Sequence, residues 1–354
     1  MGKVVVLKKI IYVILFAAFL FGGVILLNKW LCFKDGSICS GDERVKTFQS
    51  LPENSVDVLI VGSSHVMCGM NPVIFWEQEG ITAYNLATRA QTLPFSYLYL
   101  KEALKTQSPR YVIMDAYSVM DEKEQYGLIN NEDHFNMNMG SLPFSMGKAE
   151  LIEKYIPFRE RIYYYIPFLR FHSRWKRALE MQPDNPGIFL GFCCGEDETE
   201  ENVSFEEPYS LGREERAPLE AVDLEYLERI IELCRKEEIP LIFIKTPVNA
   251  SKEQMGRFNE LGDILEKEGI PFVNYMELYR ETDFSYREDF RDRTHLNSRG
   301  AEKITTHFLE FLKEYDLAQT GGSLKDHRNE TGFDFWQQKS EAYHAHQRER
   351  GREE

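Results

Sequence analysis

The stretch VLIVGSSH, residues 58–65, decides the fold. Four apolar residues, Val58 to Val61, stop abruptly at a glycine and two serines. A short unbroken apolar run closed by turn residues reads as a strand buried on both faces. Similar runs recur at Thr82–Leu86, Tyr111–Met114, Leu241–Lys245 and Pro271–Asn274. Between them lie helical patterns near 72–78, 95–106, 223–238, 252–268 and 298–314, the last with Ser298 as its expected N-cap. Strands alternating with helices give an α/β class, with a parallel sheet covered on both faces.

In such sheets ligands meet the chain beyond the carboxyl ends of the strands, which is where Gly62-Ser63-Ser64-His65 falls. A serine there is exposed, with its own N–H aimed to hold a developing oxyanion. It is a weak nucleophile unless a base activates it and a third group orients that base. Residues 292–297, DRTHLN, supply both kinds of group just before the last strong helix, as Asp292 and His295. Alone, GSSH is a strand-to-helix turn with a capping serine, and a lone Asp-x-x-His on a loop means nothing. Together, at opposite ends of one α/β pattern, they read as a serine–histidine–aspartate triad. Ser63, the rival nucleophile, reads as a turn residue. His65 reads as a helix-start side chain able to touch substrate. Asp115 either lines the cleft or is structural, and Thr246-Pro247-Val248-Asn249 is a candidate cleft wall.

The chain has 354 residues, 43% of them hydrophobic, enough to bury a sizeable core. A net charge of −15 argues against a nucleic-acid partner, which needs a basic face. Residues 10–27 are unbrokenly apolar and follow Lys3, Lys8 and Lys9, with no small-residue cleavage site after them. The expectation is one uncleaved transmembrane anchor over 10–28, with residues 1–9 cytoplasmic and the rest outside the cell. Residues 29–54 read as a polar stalk. Outside the cytoplasm, Cys32 and Cys39 form the most plausible local disulfide, and Cys193-Cys194 could join other cysteines. No CxxC pair favours zinc, and no metal or cofactor is expected. The α/β pattern lapses over about 121–220, an insertion with an aromatic cluster that includes Tyr163, Phe168 and Trp175 and reads as the insertion's own core. Thr320-Gly-Gly-Ser323 reads as a linker, and residues 316–354 as a polar, solvated tail carrying His327, His344 and His346.

The strand–Gly-x-Ser opening and the terminal Asp292-Arg-Thr-His-Leu-Asn-Ser-Arg-Gly300 resemble the SGNH/GDSL hydrolase superfamily. The spelling GSSH behind an apolar N-terminus resembles its membrane-anchored branch, which includes DltD-like proteins and the alginate O-acetylation enzymes. The likeness covers about residues 55–315, outside the insertion. It implies a three-layer α/β/α fold with a flavodoxin-like parallel sheet. It implies Ser64 as nucleophile, His295 as base and Asp292 as its orienter. Asn85-Leu-Ala-Thr-Arg-Ala-Gln-Thr92 stands in place of the family's Asn-x-Gly-x-x-Gly stretch, which puts Ala90 at an oxyanion-donor position and in a backbone that glycine would suit better. The family's Gly-x-Asn-Asp block has no good counterpart, and Ser118 stands nearest its asparagine. The activity implied is serine O-acyltransfer or ester hydrolysis on a cell-envelope polysaccharide, acetyl being the common acyl group. The partners implied are an acyl donor, the carbohydrate polymer and a multi-span membrane O-acyltransferase. The alternative is a catalytically weak accessory that keeps the fold to bind polymer or that membrane partner.

Overall fold

All five expected strands form one parallel sheet in the order β2-β1-β3-β6-β7: β1 Val58–Val61, β2 Ala83–Asn85, β3 Tyr111–Asp115, β6 Leu241–Lys245 and β7 Phe272–Asn274. A computed structural model of the chain describes residues 2–31, 41–120, 132–166, 169, 188–193, 215–292 and 294–350. The small strands β4 Ile188–Phe189 and β5 Phe192–Cys193 pair as a separate antiparallel hairpin.

The architecture is α/β, with helices on both faces of the sheet. Alternate strand residues explain why both faces must be covered. Leu59, Val61, Val112, Met114 and Phe243 enter one core cluster, whereas Val58, Ile60, Ile113, Ile242 and Ile244 enter the other. The first face packs against α5 Leu93–Ala103, α9 Ala221–Lys236 and α10 Lys252–Lys267. The second packs against α3 Ser64–Gly69 and α11 Ser298–Thr320. The N-cap of α11 is Asn297, whose side chain accepts from Gly300 N, and Ser298 is the first helical residue. Because β1 lies between β2 and β3, the chain crosses to opposite sides of β1 in turn. This is the switch point at which open α/β sheets form a crevice.

The N-terminal helix α1, Gly2–Leu31, extends past the expected 10–28 span. Its stretch Val5–Leu27 is long and apolar enough to cross a membrane, and none of it is buried against the domain.

Two expected surface segments belong to the fold instead. Residues 41–54, read as stalk, hold α2 Gly41–Gln49, where Val45 and Phe48 recur one turn apart and enter the core with Leu51. Arg44 is fully buried there and donates from Nε to Gly191 O at 2.7 Å. The C-terminal stretch, read as a solvated tail, is likewise packed. Helix α11 runs to Thr320, and Gly321 ends it in the left-handed conformation (φ 77°). Ser323 Oγ and Leu324 N then donate to Asp316, so the expected linker is a folded helix end. His327 is buried between Asp57 (Nε2–Oδ2 2.8 Å) and Glu330 (Nδ1–Oε2 2.7 Å). The following helix, α12 Asp334–Arg350, buries Trp336 completely. The polar composition of both segments hid these buried side chains. The proposed Cys32–Cys39 pair, Cys194 and most of the 121–220 insertion lie outside the described residues.

Candidate active site

The turn after β1 is shaped by close approach. Gly62 has φ 153°, and a Cβ there would sit 2.1 Å from Asp115 Cβ at the end of the neighbouring strand β3. Asp115 then clamps the turn. Its Oδ2 accepts from Ser63 N (3.0 Å) and from the Ser63 hydroxyl, while its Oδ1 accepts from Tyr117 N (2.9 Å). Burial raises the Asp115 pKa, opposed by the Lys245 charge and by these donors. Asp115 is therefore a positioning residue of the turn. Ser63 is the N-cap of α3, accepting from His65 N at 3.2 Å while its hydroxyl proton is given to Asp115.

Ser64, one residue on, is half-buried and faces the second motif. His295 Nε2 lies 2.8 Å from Ser64 Oγ. On its far side, His295 Nδ1 lies 2.9 Å from Asp292 Oδ2 and 3.0 Å from Oδ1. Asp292 Oδ1 also accepts from the backbone N–H groups of Thr294 and His295, both at 2.9 Å. Burial pushes the Asp292 carboxyl up, but the hydrogen bond and charge of His295, with those two N–H groups, hold it well below the usual carboxylate range.

Sequence reasoning missed what holds this loop. Phe290 and Leu296 pair across it, and Arg291 N donates to His295 O at 2.9 Å. Leu296 is buried, and its Cδ1 would lie 3.3 Å from a Cβ at Gly69, the last residue of the helix that begins with Ser64. Beneath, Asp289 has no exposed side-chain surface and accepts from Arg299 Nε (2.7 Å), Lys303 Nζ (2.9 Å) and Ser285 N (2.6 Å). A buried carboxylate with several charge-assisted donors fixes geometry well. The signal in the sequence was Asp289, three residues before the motif, with basic residues at 299 and 303 along one helix.

Three further side chains form a column against His295. The His65 ring stacks on Tyr117 at 3.5 Å between centroids and lies 5.0 Å from the His295 ring. Lys245 Nζ stands 5.2 Å from the centre of the same Tyr117 ring. Burial, with the charges of Lys245 and His295, lowers the His65 pKa well below its ordinary value. Its Nδ1 is buried without a hydrogen-bond partner among the described residues. The sequence signal was a lysine ending the otherwise apolar strand Leu241–Lys245. Thr246, the expected cleft wall, is fully buried, and its Cγ2 would touch a Cβ at Gly69.

The two expected oxyanion donors are placed less directly. Ala90 has φ 47°, the left-handed backbone that glycine favours. Its loop is tied to the nucleophile turn by Thr88 N donating to Gly62 O at 3.0 Å. Ser118 lies in the 3₁₀ turn Tyr117–Met120, with its Oγ buried and without a hydrogen-bond partner among the described residues. No hydrogen bond joins either residue to Ser64 among the described residues. Replacing Ala90 by glycine is expected to stabilise the chain by up to about 1 kcal/mol by relieving φ strain. Equilibrium urea unfolding checks it, and a destabilised A90G chain would show that the alanine methyl contributes packing worth more than the strain.

No family model and no curated protein matches the chain. Among solved structures, a "putative acylhydrolase" from Bacteroides fragilis is similar at 12% identity and TM-score 0.38, over 77% of this chain and 94% of that one. A "putative lipolytic protein of G-D-S-L family" from Desulfitobacterium hafniense is similar at 10% identity and TM-score 0.38, over 73% of this chain and 99% of that one. Neither likeness bears on activity.

Proposed function

We propose that the chain is a membrane-anchored, extracytoplasmic serine acyltransferase or esterase that O-acylates, most simply acetylates, a cell-envelope polysaccharide. The observation that carries the chemistry is Ser64 Oγ at 2.8 Å from His295 Nε2, with Asp292 behind the ring. Ser64 Oγ attacks the acyl carbonyl of a donor ester while His295 Nε2 takes its proton. Asp292 holds the Nδ1–H tautomer and stabilises the imidazolium. Collapse of the tetrahedral intermediate expels the donor's alkoxide, which receives the proton from His295, and leaves an ester on Ser64. A sugar hydroxyl then gives its proton to His295 and takes the acyl group, and the expelled Ser64 oxygen recovers that proton from His295. Water in its place makes the reaction a hydrolysis. Helix α1 supports the placement at a membrane, where a multi-span O-acyltransferase would supply the acyl donor.

The accessory reading draws on Ala90 and Ser118, neither of which is bonded to the nucleophile. One experiment separates the two. The full chain in detergent is given 4-nitrophenyl acetate, and intact mass follows the protein. An acetyl adduct that disappears in Ser64→Ala supports the serine chemistry. An adduct discharged faster by oligosaccharide than by water identifies a transferase. A folded chain with neither turnover nor adduct defeats the enzymatic reading and leaves the accessory one.

A further inference from the structure

The insertion carries an apolar surface that neither the catalytic reading nor the core uses. Phe144, Met146, Phe158, Ile162 and Tyr163 are between 43% and 83% exposed. Isolated exposed apolar side chains are ordinary, but a cluster marks a contact surface. Phe158, Ile162 and Tyr163 lie in or just before the short helix α8, Arg161–Tyr165, and Phe144 and Met146 lie at or just before the start of α7, Met146–Tyr155. Tyr164 turns inward, edge-on to the buried Phe135 at 5.1 Å, which leaves Ile162 and Tyr163 outward. Phe144 lies 6.2 Å from Tyr165 between ring centres, and the Arg161 guanidinium lies 5.9 Å from the Phe158 ring. Arg161 also donates to Ile156 O (2.8 Å) and Glu153 O (2.6 Å), so α7 and α8 present the cluster as one body.

We propose that this face rests on the lipid surface in which α1 is anchored. Three observations select lipid as the occupant. The first is reach. Only nine residues separate Leu31, the end of α1, from Gly41, the start of α2. Whatever their path, they span at most about 30–35 Å. The second is continuity. Helix α2 packs on α6, Glu132–Ser141, with Val45 and Phe48 in one cluster with Phe135 and Met139. Helix α6 leads directly into Phe144 and Met146, so the patch adjoins the side where the anchor enters. The third is charge. Arg159 and Arg161 neighbour the exposed Phe158 and Ile162, in a chain of net charge −15. Arg159, beside Phe158, is exposed and forms no ion pair among the described residues. Aromatic and aliphatic side chains flanked by arginine suit the boundary between acyl chains and anionic headgroups. Held this way, the domain has a fixed orientation to the membrane, so the donor arrives from one direction.

The inference rests on the anchor in the proposed function and not on Ser64, so an inactive variant tests it equally well. The full chain is reconstituted in vesicles of phosphatidylcholine with phosphatidylglycerol, with Phe158 replaced by p-benzoylphenylalanine. A second protein carries the same residue in place of Leu317, which is 67% exposed on α11. After irradiation, lipid adducts at position 158 are expected at least several-fold above those at 317, and to rise with the phosphatidylglycerol fraction. Equal yields at the two sites, or adducts at 158 to protein alone, overturn the proposal. A chain that fails to float with vesicles overturns the anchor and this inference together, whereas floating without lipid adducts overturns the patch alone.

Discussion

Replacing Ser64 by alanine is expected to lower ester turnover by about 10⁴–10⁶-fold, and His295→Ala by the same order. The double variant should be no worse than either single one, because a nucleophile without its base and a base without its nucleophile are equally idle. Asp292→Asn should cost about 10⁴-fold, since an amide cannot stabilise the imidazolium and favours the wrong tautomer. Steady-state rates on a chromogenic acetyl ester measure all four. A Ser64→Ala loss below tenfold would remove the serine from the mechanism. The pH dependence has a definite sign. The Asp292 pKa is lowered on folding, so its stabilising effect is present above the unfolded carboxylate value of about 3.9 and is lost only as pH falls through the lower, folded value. Activity that disappears between about pH 4 and 6 is therefore not protonation of Asp292.

The second large effect is structural. Trp336→Ala is expected to destabilise the chain by about 3–5 kcal/mol, the range for emptying a large buried aromatic site. Trp336 is fully buried, and its Nε1 donates to Ala83 O at 3.4 Å on β2, the strand at one edge of the sheet. On the same strand, Asn85 N donates to Leu190 O at 2.9 Å in the β4–β5 turn. The tail and the hairpin thus occupy backbone groups that an edge strand would otherwise leave open. Urea unfolding followed by far-ultraviolet circular dichroism checks the figure. A loss under about 1 kcal/mol, the size of an ordinary surface change, would show that α12 is only loosely laid on the domain.

The sheet was legible because each strand is a short apolar run ending in polar or turn residues, and burial on both faces leaves such runs no alternative. The contact between Ser64 and His295, 231 residues apart, was legible only through chemistry: each residue type needs the other. What was not legible depended on few side chains in polar surroundings. Val45 and Phe48 are two apolar residues in a charged nine-residue helix, and Trp336 is the one fully buried ring in a helix otherwise rich in Gln, Glu, His and Arg. Average composition describes their neighbours and not them. Tyr117 and Lys245 escaped for another reason. Each lies at a strand end like many others, and only the fold stacks Tyr117 on His65 with Lys245 over the same ring.

The tail's contact with β2 also sets a clock on synthesis. Trp336 follows Ala83 by 253 residues, and chains are made at about 5–20 residues per second. For on the order of 10–50 s after β2 is made, the residue that closes its edge does not yet exist. Until then the nascent domain depends on chaperones or on speed to keep that edge from other chains. A stop codon between residues 321 and 336 releases a protein with Ser64, His295 and Asp292 all present and the Ala83 end of its β2 edge still open to aggregation.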